Sequence, residues 1–155
     1  MQFAKSAKGG ALAAKPTAHG ALTFEADIMT SPGPLTEKVV DSLLGFLADE
    51  SPQGPSAFLF HGRRLIQVGE VTGARTEIEW LLSPSGERTL LFLLPSGLDL
   101  AVLQYTASAL DWKEALPLFE TSAMATEGLA PNTGSRAGYL GWRAGYFIRK
   151  IFQGG

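Results

Sequence analysis

The chain has no cysteine. Disulfide scaffolds, thiolate metal centres and cysteine nucleophiles are therefore excluded. Histidine is almost as scarce. His19 and His61 are the whole complement, too few for a metal centre built from several imidazoles of one chain. Long hydrophobic runs are missing too. The longest unbroken aliphatic and aromatic stretch is Leu90–Leu94, far short of the roughly 20 residues that a membrane-spanning helix needs. The first residues carry lysines but no apolar stretch of signal-peptide length, so cytoplasmic residence is the expectation. No phosphate-binding loop of the Walker type occurs, and no dinucleotide-binding glycine pattern follows a strand.

Acid is absent from both ends. Residues 1–24 carry Lys5, Lys8 and Lys15, and residues 128–155 carry Arg136, Arg143, Arg149 and Lys150, with no aspartate or glutamate in either stretch. All 15 acidic residues lie between Glu25 and Glu127, among the six remaining basic ones. The net charge of −2 thus averages an acidic middle and two basic ends. Such segregation points to an acidic partner, nucleic acid or an anionic membrane surface, or else to solubilising tails.

Of the 155 residues, 45% are hydrophobic, enough for one domain of ordinary size. Residues 1–20 are rich in Ala, Gly and Lys and show no sustained period, and they read as an extended basic arm. Ala21–Met29 alternates, with Leu22, Phe24, Ala26 and Ile28 on one face, and predicts a half-buried strand. After the breaker Ser31-Pro32-Gly33-Pro34, residues Leu35, Val39, Val40, Leu43, Leu44 and Leu47 fall at helical spacing and predict a helix to about Ala48. Residues 57–105 read as an antiparallel meander. Its strands are Ala57–Phe60, Leu65–Val71, Arg75–Leu82, Arg88–Leu94 and Leu98–Tyr105, with a turn expected at His61-Gly62 and hairpins at Pro84-Ser85-Gly86 and Pro95-Ser96-Gly97. The middle strands carry apolar residues on both faces, so the sheet should be covered on both sides. A second helix is expected from Asp111, with Asp111 and Glu114 spaced as a capping box and Pro117 one turn in. Trp112, Ala115, Leu116 and Phe119 form its apolar face. The compact domain is expected to span residues 21–128.

The segment Val71-Thr72-Gly73-Ala74-Arg75, the strand Leu98-Asp99-Leu100-Ala101-Val102-Leu103, the small-residue turn Thr106-Ala107-Ser108 and the helix motifs Asp111-Trp112 and Pro117-Leu118-Phe119 occur in this order. Over residues 21–125 the chain resembles the PsbP/Mog1/DcrB-like superfamily. That resemblance implies an α/β (α+β) fold, an antiparallel meander sandwiched by helices. It also implies a non-catalytic role in binding photosystem subunits, small GTPases or secretion effectors. Members open with an additional strand or hairpin, and residues 1–20 show no pattern for one.

The C-terminal stretch, residues 129–155, carries a local repeat. Arg136-Ala137-Gly138-Tyr139-Leu140 recurs seven residues later as Arg143-Ala144-Gly145-Tyr146-Phe147, and Lys150 continues the basic position. If helical, the basic residues form one row and the tyrosines another. Four glycines each cost about 0.8–1.0 kcal/mol in a helix interior, so an isolated helix is disfavoured. Yet Tyr139, Leu140, Trp142, Tyr146, Phe147 and Phe152 are too apolar to stay in water. The segment needs a surface: its own sheet as a third helix, a protein partner, a membrane interface with anionic lipid, or stacked RNA bases. Together with Arg136, Arg143, Arg149, Lys150 and the N-terminal Lys5, Lys8 and Lys15, these residues are the candidate docking set.

Catalytic patterns are weak by comparison. Ser83, Ser85 and Ser96 stand in turns, where serine serves local hydrogen bonding. His61, Asp99 and a serine have no spacing that supports a triad. Glu77 and Glu79 alternate on one strand face and read as solvated charges, with Arg75 and Arg88 as the available partners across the sheet. The expectation is therefore a protein without enzymatic activity or cofactor. It would be a peripheral subunit or chaperone docking on a larger complex, cytoplasmic or on the cytoplasmic face of a membrane. The alternative is a nucleic-acid-binding accessory protein using the same basic ends.

Overall fold

Five consecutive apolar residues, Leu90 to Leu94, cannot all face one side of a strand, because side chains alternate. In the computed structural model, which describes residues 2–5, 11–50 and 55–131, they form the middle of a strand with a helix on each side. The elements in chain order are β1 (Gln2–Lys5), β2 (Ala11–Thr17), β3 (Gly20–Thr30), α1 (Glu37–Asp49), β4 (Phe58–Val68), β5 (Val71–Trp80), β6 (Arg88–Ser96), β7 (Asp99–Ala107) and α2 (Ala109–Met124). Among the described residues the strands form one sheet in the order β1-β2-β3-β7-β6-β5-β4. Every neighbouring pair is antiparallel. This is the α+β class expected from the sequence.

Two cores result. Leu91 and Leu93 of β6 join Val40, Leu43, Leu44 and Ala48 of α1, with Ile78, Leu100 and Val102 from the flanking strands. Leu90, Phe92 and Leu94 join Trp112, Ala115, Phe119 and Ala123 of α2, with Leu103 and Tyr105 from β7. The helices are held at their starts by short polar side chains. Thr36 Oγ1 accepts from the Val39 N–H at 3.2 Å, and Ser108 Oγ accepts from the Asp111 N–H at 3.3 Å. Each satisfies one of the donors that a helix start leaves open.

Three elements differ from the sequence reading. Residues 11–17, read as part of a free arm, are the strand β2. They pair with β3 from Ala11↔Ala26 to Thr17↔Gly20, and β1 adds to them as far as Gln2↔Ala14. Alanine hid the pattern, since it is equally at home on a buried and an exposed face. Pro16 is tolerated because it lies beyond the end of β1, where no described strand pairs with that side of β2. Secondly, His61-Gly62 is not a turn. β4 runs through it as one strand, and the register to β5 shifts between His61 and Arg64. Gly62 supplies the left-handed φ of +62° at this bulge. The irregularity re-aims Arg63, whose Nε stands 2.7 Å from Asp41 Oδ1 of α1. A bulge with charged side chains also blunts an exposed edge strand. Thirdly, α2 begins earlier than Asp111. Ser108 is its cap, and Asp111 belongs to its first turn. Glu114 is exposed and plays no part in the cap.

The folded body also continues past residue 128. The Gly97 N–H donates to the Ala130 carbonyl at 2.7 Å, and the Ala130 N–H donates to Ser96 Oγ at 3.1 Å. Ala130 is fully buried on the β6–β7 turn.

Among the described glycines, Gly73 leaves the least room for a side chain. A Cβ there would lie 2.8 Å from the Leu93 carbonyl oxygen and 2.8 Å from Leu94 Cδ2. One of the contacts is backbone, so the strand itself would have to move. Gly73→Ala is expected to lower the unfolding free energy by about 1–3 kcal/mol. Urea denaturation followed by circular dichroism measures this, and an unchanged midpoint would contradict the packing described.

Candidate binding cleft

The polar clusters of the described residues act as braces. Arg75, on β5 and 9% exposed, places Nη2 2.5 Å from Glu120 Oε1 on α2 and 3.5 Å from Glu77 Oε1. It ties helix to sheet. Glu79 does not pair with Arg88, its register neighbour. It meets His61 Nε2 at 2.8 Å instead, on the exposed face of β4 and β5. Trp80 Nε1–H donates to Thr89 Oγ1 at 2.8 Å, and Thr89 bonds Thr106 at 2.7 Å, which links three strands. Ser83 and Ser96 accept from the backbone N–H groups of Glu87 and Ala130, as turn serines should. His61 and Asp99 stand on β4 and β7 with two strands between them. Among the described residues no group of three or more His, Asp or Glu side chains could hold a metal ion.

Of the docking set expected from sequence, Arg136, Tyr139, Leu140, Trp142, Arg143, Tyr146, Phe147, Arg149, Lys150 and Phe152 lie outside the described residues, as does Lys8. Lys5 is placed by its backbone on β1. Lys15 has a defined setting. It is exposed on β2 opposite Leu22 of β3, at the edge of an opening that the sequence did not reveal.

That opening follows from a mismatch of widths. α2 lies over β6 and β7 and does not reach across β2 and β3. One end of the gap is pinned where Thr17 Oγ1–H donates to Asp111 Oδ2 at 2.6 Å. Asp111 Oδ2 also accepts from Ser108 Oγ–H at 3.3 Å. Beyond this pin a cleft of about 350 Å³ runs between the flank of α2 and the sheet. Ala13, Leu22 and Phe24 form one wall, Leu118, Phe119 and Ser122 the other, and Tyr105 lies between them. The Tyr105 ring stands 4.8 Å from Phe24 and 5.1 Å from Phe119, centroid to centroid. Its hydroxyl bonds Ser122 Oγ at 3.1 Å. The available signal was Leu118. It is a large apolar residue outside the stripe of Trp112, Ala115, Leu116 and Phe119, and it is 59% exposed.

A second apolar surface lies at one end of the sheet. Leu81 and Leu82 sit on the β5–β6 turn at 47% and 72% exposure, and Leu110 opens α2 at 74%. The Ala109 N–H donates to the Ser85 carbonyl at 3.3 Å, so the turn and the helix start meet there.

Burial raises the Tyr105 pKa above the usual tyrosine value, and the hydrogen bond shared with Ser122 opposes the shift only partly. A phenol with a raised folded-state pKa keeps its proton longer in the folded than in the unfolded chain. The folded state then binds more protons between the two values, so stability falls as pH rises through about 10 and above. Tyr105→Phe is expected to flatten this alkaline loss. Denaturation midpoints of both proteins between pH 9 and 11 check it, and parallel declines would contradict the burial effect.

No family model matches the chain, and no curated protein matches it. Among solved structures, the chain is similar to the solution structure of cyanobacterial PsbP (CyanoP) from Synechocystis sp. PCC 6803. The two are 11% identical, with a TM-score of 0.49 over 79% of this chain and 88% of that one.

Proposed function

We propose that the protein is a non-catalytic binding subunit that docks on a larger protein assembly. The observation that carries this reading is the division of labour on its surface. The polar clusters of the described residues brace helices against the sheet, while large leucines stand in water. Leu81, Leu82 and Leu110 at one end of the sheet are exposed at positions where a folded body gains nothing from them. Grouped exposed apolar side chains mark contact surfaces. The basic aromatic stretch from Arg136 to Phe152 would add a second anchor, joined to the body at the β6–β7 turn where Ala130 is fixed. Its arginines beside tyrosine and tryptophan suit a protein surface next to anionic lipid. The assembly would then be membrane-associated and the subunit peripheral. The superfamily resemblance makes a photosynthetic complex or a secretion assembly the candidate host, with a chaperone-like role in the second case.

Capture from native membranes and lysate tests this with three proteins: the full chain, a chain ending at Pro131, and the full chain with Leu82→Glu and Leu110→Glu. Ending at Pro131 keeps the buried Ala130 and its hydrogen bonds to the β6–β7 turn, and circular dichroism of the shortened chain checks that its body is folded. The same partners are expected with the full chain, and their recovery should fall several-fold with each altered protein. Equal recovery with all three would overturn the proposal. Flotation with anionic liposomes separates the lipid contribution, which the shortened chain is expected to lose.

A further inference from the structure

We infer that the cleft between α2 and the β2–β3 hairpin binds a small amphipathic carboxylate, a medium-chain fatty acid or a molecule of that shape and charge. Its volume of about 350 Å³ falls within the range of roughly 300–1,000 Å³ found for small-molecule sites, and such sites are mostly apolar with a few placed polar groups. Ala13, Leu22, Phe24, Leu118 and Phe119 provide apolar walls. The aromatic contacts around Tyr105 hold those walls in place without a ligand, so binding needs little ordering of the protein.

Register fixes the polarity of the cleft. Lys15 stands opposite Leu22, two residues nearer the hairpin turn than the Ala13↔Phe24 pair. Phe24 in turn stands opposite Tyr105. The cation is therefore at one end and the aromatic floor at the other. Among the described residues Lys15 makes no ion pair. Asp111, at the pinned end of the cleft, already accepts two hydroxyl hydrogens, from Thr17 and Ser108. One ammonium matches a head of one negative charge. A phosphate monoester carries about −1.5 to −2 and three acceptor oxygens, more than this rim supplies with donors. The hydroxyls of Tyr105 and Ser122 share one hydrogen bond at the Phe24 end of the cleft, and Ser122 is exposed there, so the hydrogen-bonding capacity that this bond leaves over lies toward solvent and not against an apolar tail.

The test is an NMR titration of the isotope-labelled full chain with sodium decanoate, with decanol and with anionic vesicles as separate arms. Saturable decanoate shifts are expected at the amides of Leu22, Phe24, Tyr105 and Phe119. Lys15→Gln should weaken decanoate binding roughly two- to fivefold, as expected for a solvent-exposed ion pair, and leave decanol binding unchanged. Leu118→Glu, at an exposed helix position, should weaken decanoate by roughly tenfold or more by setting a carboxylate against the apolar tail. Three outcomes would overturn the inference. They are no saturable shift at these residues, equal responses to both ligands with no effect of Lys15→Gln, and shifts produced by vesicles alone.

Discussion

Burial of β6 on both faces is the constraint from which the rest of the molecule follows. An apolar run of five residues in a strand needs a cover on each side. Leu91 and Leu93 receive it from α1 and Leu90, Phe92 and Leu94 from α2. At about 25 cal/mol per Å² of apolar surface, each fully buried large side chain contributes on the order of 1.5–3 kcal/mol. The hairpins on either side extend the same two faces, and every partner of β6 is reached by a short turn. The helices need no long apolar circumference of their own, since each spends one stripe on the sheet. Their outer faces also carry exposed apolar side chains, Phe46 on α1 and Leu110, Leu118 and Met124 on α2.

The same constraint sets where the surface is left open. Two helices on a sheet of this width cannot cover all of it. α2 serves the centre, and the β2–β3 hairpin overhangs beside it. The hairpin is tied back at its tip by Thr17 and Asp111, which turns an uncovered margin into a walled cleft. The charged residues meanwhile reinforce the stack. Arg63 joins β4 to α1, and Arg75 joins β5 to α2, one cation for each face.

Much of this is legible in the sequence because period and punctuation agree. β3 and β5–β7 alternate or run apolar between proline and glycine turns, and α1 shows an apolar stripe after a breaker. The readings failed where residues carry weak or double signals. Ala11–Thr17 joins the sheet although alanine announces neither face, and its partner is set by the Gly20 hairpin. His61-Gly62 resembles a turn because glycine serves bulges and turns alike through the same positive φ. Ser108 lost its place as cap to Asp111 because both are favoured there and only the chain direction distinguishes them. The cleft was not legible at all. It arises from the relative widths of α2 and the sheet, a tertiary quantity with no local pattern. Lys15 was picked out by its charge, and its place beside Leu22 became visible only with the register.

If β6 couples the two cores, damage on one face must be felt on the other. Leu91, 2% exposed, packs only toward the α1 side. Hydrogen exchange of the full chain carrying Leu91→Ala tests the coupling directly. A buried Leu→Ala change costs about 2–5 kcal/mol, and the most protected amides of α1 and α2 should lose protection together by the same factor. Loss confined to α1, with α2 amides exchanging as in the unaltered protein, would contradict the account.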